Sequence, residues 1–286
     1  MIKLGEGIVN HPEDVSVDGN GVLYTTTGDG WIKRMHPNGT WEDWQQGLLK
    51  VSEEGVTVLV SQFNGSQLRY KFWFANDVIE ASDGSLYFTV SSTKFTPAEY
   101  YLDLVSGEPH GVLLKYDPST NQTSLVLDGL YFANGVALSE DERFLVVCES
   151  WKCVKHFLKV SGRTDREIFI DNLPGGPDNV NLARDGSFWI SIIKMDPKGI
   201  QALQSCKEST QLLEAYPELI QLLIPMGKQA AAAVVNVKAD GRLNREISDP
   251  NATDISFVTS AQGHDNNLYL ASINSDFIGK LPLRPL

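Results

Sequence analysis

The sequence predicts an all-β fold: a six-bladed β-propeller missing the inner hairpin of its second blade, with a helical insertion in its fifth. Three observations predict it. One hairpin pattern occurs five times, further strand pairs lie between the copies, and one of those pairs has no hairpin in front of it.

The five copies read HPEDVSVDGNGVLYTTT from His11, FANDVIEASDGSLYFTV from Phe74, FANGVALSEDERFLVVCES from Phe132, GPDNVNLARDGSFWISI from Gly176 and ISFVTSAQGHDNNLYLAS from Ile255. Each alternates apolar and polar residues around a turn such as Asp83-Gly84 or Asp185-Gly186, which is the hairpin signal. A four-stranded blade needs a second pair after each hairpin. WIKRMHPNGTWEDW from Trp31, GVLLKYDPSTNQTSLVL from Gly111, CVKHFLKVSGRTDREIFI from Cys153 and AAVVNVKADGRLNREIS from Ala232 supply it. For the last blade, FIGKLPL from Phe277 is expected as the third strand and MIKLGEG from Met1 as the fourth. This closure removes exposed sheet edges.

GLLKVSEEGVTVLV from Gly47 also reads as an outer pair, yet it follows directly on Trp41–Gln46. Glu13 to Asn76 barely exceeds the spacing from Asn76 to Asn134, although it must cover two blades. One hairpin, roughly 20 residues, is therefore expected to be missing, the alternative being a true five-bladed propeller with a long loop. The crowded run Tyr70–Trp73 reads as a short insertion in the same region. Residues 196–229 differ again: their Leu and Ile recur at helical spacing, interrupted by Pro217. The whole of 1–286 reads as one propeller domain.

With 286 residues, 42% hydrophobic and 21% charged, the chain has ordinary globular composition. Its net charge of -12 and lack of a basic run exclude nucleic acid as an expected partner. No apolar stretch is long enough to span a bilayer, and the opening residues do not read as a signal peptide. Cys148, Cys153 and Cys206 do not make a disulfide framework; Cys148 could pair with Cys153 across adjacent strands, but buried thiols are the expectation. Sequons at Asn38, Asn64, Asn121 and Asn251 suit glycosylation in the secretory pathway.

The leading positions of the inner hairpins are polar where a core strand should be apolar: Glu13-Asp14, Asn76-Asp77, Asn134 and Asp178-Asn179. In a propeller these positions face one another on the central channel. Two carboxylates with amide oxygens make the oxygen cage that Ca²⁺, or another divalent metal, prefers. The expected ligands are Glu13, Asn76, Asn134, Asp178 and Asn179. Turn chemistry is the competing explanation for each Asn.

FAND, FANGVALS, GGPDNVN followed by WISI, and GEPHGVLLKYDPST around His110 resemble the strictosidine synthase-like proteins of plants, which have an animal relative in adipocyte plasma membrane-associated protein. The wider resemblance reaches paraoxonase and gluconolactonase propellers, whose catalytic Ca²⁺ is held by residues matching Glu13, Asn76, Asn134 and Asp178, with Asn179 matching an extra paraoxonase Asn. It implies a hydrolase of lactones or esters, with Asp178, Glu13, His110 or His264 activating water. Strictosidine synthase itself performs a Pictet–Spengler condensation with a Glu in its last blade. By register Thr259 stands there, so condensation is the alternative rather than the expectation. A non-catalytic propeller binding a small molecule or protein is a third reading. The resemblance also implies a secretory, vacuolar or extracellular location, a small-molecule substrate, and membrane association only through an N-terminal segment outside this sequence.

Overall fold

The computed structural model describes residues 1–27, 31–46, 50–52, 55–57, 62–64, 69–71, 74–96, 99–158, 166–194, 201, 205, 209–216, 218–219 and 231–283. They gather into two compact units. The first joins Met1–Leu59, Asp178–Lys194 and Met226–Leu286; the second joins Val60–Pro177 and Met195–Pro225.

The first unit holds three four-stranded antiparallel blades. One is β2 (Val15–Val17), β3 (Leu23–Thr26), β4 (Trp31–Met35) and β5 (Trp41–Gln46). Another is β18 (Gly176–Leu182), β19 (Phe188–Ile193), β20 (Ala232–Val237) and β21 (Leu243–Asp249). The third is β22 (Val258–His264), β23 (Asn267–Ser272), β24 (Ile278–Pro282) and, as its outer strand, β1 (Ile2–Leu4). Ile2 pairs with Lys280 and Leu4 with Ile278, as the closure reading expects. Trp189, Val234, Val258 and Leu268 pack between two of these blades, and Val15, Leu23, Ala271 and Ile278 lie in a second cluster.

The second unit holds two four-stranded blades. β10 (Ala75–Glu80), β11 (Leu86–Val90), β12 (Gly111–Asp117) and β13 (Gln122–Leu130) form one. β14 (Val136–Leu138), β15 (Phe144–Glu149), β16 (Lys152–Phe157) and β17 (Arg166–Ile170) form the other. Leu113, Leu130, Leu145 and Val147 are fully buried between them.

The hairpins turn as their sequences predict. Asp83 Oδ1 accepts the amide of Ser85 at 2.9 Å while Gly84 takes φ of 79°. Asp185 repeats this with Ser187 at 3.1 Å, with Gly186 at 76°. Left-handed backbone is where glycine costs least.

Five four-stranded sheets thus form among the described residues. The stretch expected as the outer pair of a further blade gives a two-stranded hairpin, β6 (Lys50–Ser52) with β7 (Gly55–Thr57). A second hairpin pairs β8 (Gln62–Asn64) with β9 (Arg69–Lys71), which places part of the crowded run in a strand. Of residues 196–229, α2 (Ser209–Ala215) is helical, and most of the others lie outside the described residues. It lies against α1 (Tyr100–Ser106), a helix the sequence reading passed over. The Glu99 carboxylate accepts the amide and hydroxyl of Thr96 at 3.0 and 2.9 Å. That is the reach-back contact of a capping box.

The cysteine expectation is corrected. Cys148 on β15 lies directly opposite Cys153 on β16, and the two form a disulfide. Adjacent strands bring facing side chains within bonding range, which outweighs the short separation of five residues. So short a loop removes little chain entropy. Replacing both cysteines with serine is expected to cost about 2 kcal/mol, read from urea unfolding against the oxidised chain. A midpoint unchanged by the double substitution would contradict it.

Candidate functional site

The leading residues of the inner strands are fixed by a repeated polar device. The Asp14 amide donates to Thr26 Oγ1 at 3.2 Å, and Asp14 Oδ1 accepts the Val15 amide at 2.7 Å. In the second unit the Asp77 amide donates to Thr89 Oγ1 at 3.1 Å, and Asp77 Oδ1 accepts the Val78 amide at 2.7 Å. Asp77 Oδ2 also accepts the Val136 amide at 2.7 Å, tying one blade to the next. Both aspartates therefore serve as backbone caps. The residue before each, Glu13 or Asn76, is the one left for other chemistry.

A second device aligns neighbouring blades. Thr89 Oγ1 donates to the Asn134 carbonyl at 2.7 Å. In the first unit Ser191 Oγ donates to the Asn179 carbonyl at 3.1 Å and to the carbonyl of Thr259. The shared pattern makes Thr259 the counterpart of Asn134, the leading residue of its blade. The sequence reading missed these buried hydroxyls, because a Thr or Ser inside a strand carries no distinctive signal.

In the first unit, Glu13, Asp178, Asn179 and Thr259 belong to one group of leading residues. Asn179 is 2% exposed and its Nδ2 donates to Glu13 Oε1 at 3.0 Å. The Thr259 hydroxyl donates to the Glu13 carbonyl. Asp178, 3% exposed, precedes Asn179 on β18. Burial holds the Asp14 carboxyl above the usual carboxylate range, against hydrogen bonds from Ser260 and Val15.

In the second unit, Asn76 Nδ2 donates to Ser91 Oγ at 3.0 Å. Asn134 is 7% exposed, and its Oδ1 is buried with no hydrogen-bond donor. His110 lies at the same end of the blade as Asn76, just before β12. A Cβ on Gly111 would sit 2.7 Å from the Ala133 amide nitrogen, so only glycine lets β12 approach the backbone leading to Asn134. His110 Nδ1 is 3.0 Å from Asp103 Oδ2 on α1.

His264 is not part of the first group. It ends β22, five residues from Thr259, or about 16 Å along an extended strand. Its Nε2 instead meets Asp265 Oδ2 at 3.3 Å at the turn end of the blade. His264, a candidate for activating water, thus stands at the turn end of its strand. Among the described residues no three His, Cys, Asp or Glu side chains form a metal-binding group. Any metal here must rely on amide oxygens as well as carboxylates.

Residues 75–161 match the family described as Strictosidine synthase, and residues 1–35 match Strictosidine synthase-like, N-terminal. Protein STRICTOSIDINE SYNTHASE-LIKE 4 of Arabidopsis thaliana is 30% identical, over 98% of this chain and 81% of its own length. The chain belongs to the strictosidine synthase-like family. The adipocyte plasma membrane-associated protein of Rattus norvegicus is 32% identical to this family member over 88% of the chain and 69% of its own length. Among solved structures, regucalcin, a calcium-binding protein of Agrobacterium tumefaciens, superposes with a TM-score of 0.59 at 11% identity, covering 99% of this chain and 95% of its own. A gluconolactonase of Xanthomonas campestris gives 0.53 at 18% identity, covering 94% and 71%. These likenesses show the β-propeller fold. No helix among the described residues is long and apolar enough to cross a membrane.

In this strictosidine synthase-like chain the buried Asp103 carboxyl carries a pH signature. Burial pushes the Asp103 carboxyl above its ordinary range, opposed by Ser92, His110 and Lys94. Folding therefore favours the protonated carboxyl, and its ionisation weakens the fold as pH rises from about 4 through the raised value. Relative to Asp103→Asn, the native chain is expected to lose melting temperature across that window. Parallel Tm–pH curves would contradict this.

Proposed function

We propose that this strictosidine synthase-like chain is a divalent-metal-dependent hydrolase of lactones or related esters. The observation that carries the reading is the Asn134 Oδ1 atom, buried without a donor. Leaving such an oxygen unmet is costly, and a neutral oxygen at a blade opening is what a hard cation takes. Glu13, Asp178 and Asn179 of the first unit are proposed as ligands, and Asn76 and Asn134 of the second unit are proposed as oxygen donors to a cation in their own right. Carboxylate and amide oxygens suit Ca²⁺ better than a softer metal.

Bound calcium would supply Lewis-acid polarisation of the ester carbonyl. The chain supplies the rest. Asn179 holds Glu13 in one orientation through its 3.0 Å bond. Asp178 is the proposed acceptor of the proton from the attacking water. His110, its Nδ1 side fixed by Asp103, presents Nε2 as a second proton carrier.

The test is a panel of lactones and aryl esters assayed with and without EDTA. Turnover lost on chelation and restored by Ca²⁺ is expected; chelator-insensitive turnover, or none, rejects the proposal. The condensing alternative is disfavoured because the Thr259 hydroxyl is committed to the Glu13 carbonyl. Strictosidine formed from tryptamine and secologanin would reinstate it. A rim-binding propeller without catalysis predicts a calcium-dependent rise in Tm and no turnover.

Two further readings go with this proposal. The native fold is six-bladed, with the inner hairpin of the second blade absent here. The alignment with the Arabidopsis relative supports this, since it runs over 316 positions against a chain of 286 residues and so leaves gaps opposite this chain. The second is passage through the secretory pathway, supported by the disulfide and by sequons on the exposed Asn38, Asn121 and Asn251.

A further inference from the structure

At the turn ends of β18 and β22, on neighbouring blades of the first unit, lies a cavity of about 450 Å³, a size typical of small-molecule sites. It lies at the far end of β22 from Thr259 and shares none of the residues proposed to hold the metal. Trp189 forms one wall. It is 6% exposed, yet its indole Nε1–H has no hydrogen-bond acceptor among the described residues. The indole nitrogen faces Gly263, where a Cβ would stand only 3.2 Å from it. The missing side chain keeps this donor open to the cavity.

The strand beside Trp189, whose register partner is Asn236, is set in advance. Asn236, 3% exposed, donates through Nδ2 to Ser187 Oγ at 2.7 Å and accepts Asn244 Nδ2 on its Oδ1 at 2.7 Å. Asn244 is thereby oriented with its own Oδ1 as an acceptor. The rim charges compensate one another: Arg184 Nη2 lies 3.0 Å from Asp265 Oδ1, and His264 Nε2 lies 3.3 Å from Asp265 Oδ2.

We infer that this cavity binds a small neutral polyol, a monosaccharide in the first instance. A hydroxyl group both accepts from the indole N–H and donates to the Asn244 oxygen. An apolar ligand satisfies neither group, and with Arg184 and Arg245 as well as Asp185 and Asp265 in the lining no net charge on the ligand is called for. This inference does not depend on the hydrolase reading.

The test follows the indole N–H resonance of Trp189 by ¹⁵N NMR, assigned by its loss in Trp189→Phe. Glucose, galactose and myo-inositol are titrated, with acetate and citrate as anionic controls. At least one neutral polyol is expected to move that resonance saturably. Gly263→Ala, which crowds the indole, and Asn244→Ala, a half-exposed position, are each expected to weaken the effect at least tenfold. No response to any polyol at tens of millimolar overturns the inference, as does a response confined to the anions or one undiminished in both folded variants. Ester turnover is expected to be unchanged in either variant, so this test and the chelation assay fail separately.

Discussion

Asn134→Ala is expected to abolish calcium-dependent ester turnover while leaving the fold intact. The backbone of Asn134 does the structural work: its amide donates to the Cys148 carbonyl at 2.9 Å and its carbonyl accepts Thr89 at 2.7 Å. The side-chain oxygen makes no hydrogen bond. Truncating it therefore removes no internal partner and should change stability by about 0.5 kcal/mol or less. A lost metal ligand, by contrast, should lower kcat/KM by about 100-fold or more, given that even residues merely supporting a ligand cost 10–100-fold. The calcium dependence of Tm should fall in parallel. Asp77→Ala is the contrasting control. It removes the caps on Val78 and Val136, so its loss appears in stability first. Full chelator-sensitive activity in Asn134→Ala would remove the basis of the metal assignment.

Phe188→Ala has the largest expected effect on stability. Phe188 is fully buried at the start of β19, paired with Val237, and its carbonyl accepts Asn236 Nδ2 at 3.4 Å. Removing the ring forfeits its transfer free energy and leaves a void that a β-sheet ladder closes poorly. A loss of about 3–5 kcal/mol is expected, measured by urea unfolding with the urea m-value held as a check. Phe188→Leu keeps most of the volume and should recover more than half of that loss. A loss under about 1 kcal/mol for the alanine variant would mean that the blade repacks freely, against the dense packing that burial implies.

Much of the blade pattern was legible because it rests on local signals. Asp83-Gly84 and Asp185-Gly186 specify their turns within four residues, alternation within the hairpins marks strands, and the near-continuous apolar runs of β11 and β19 mark those buried on both faces. The pairing of β1 with β24 was also legible, since an orphan third strand at one end and a lone strand at the other leave few arrangements. The polar leading residues were visible as exceptions to that alternation. Their division of labour was not. Glu13 and Asp14 look alike in sequence, and only the hydrogen bonds show that Asp14 caps its own strand while Glu13 meets Asn179. The position of His264 was hidden for a related reason: sequence proximity to Thr259 does not reveal that an extended strand carries the chain away. The disulfide was missed because its loop is short, and cross-strand register decides such a bond. The helix α1 was missed although Thr96 and Glu99 carry a capping-box spacing, because it is only seven residues long.

The pairing of Ile2–Leu4 with Ile278–Pro282 sets an order on biosynthesis. Ile2–Leu4 must wait for Ile278–Pro282 to be synthesised before their strand finds its neighbour. Until then Ile2–Leu4 have no strand to pair with, and the nascent chain depends on keeping this edge from aggregating. Truncations or fusions that stiffen the first few residues should accordingly impair yield more than they impair the finished molecule.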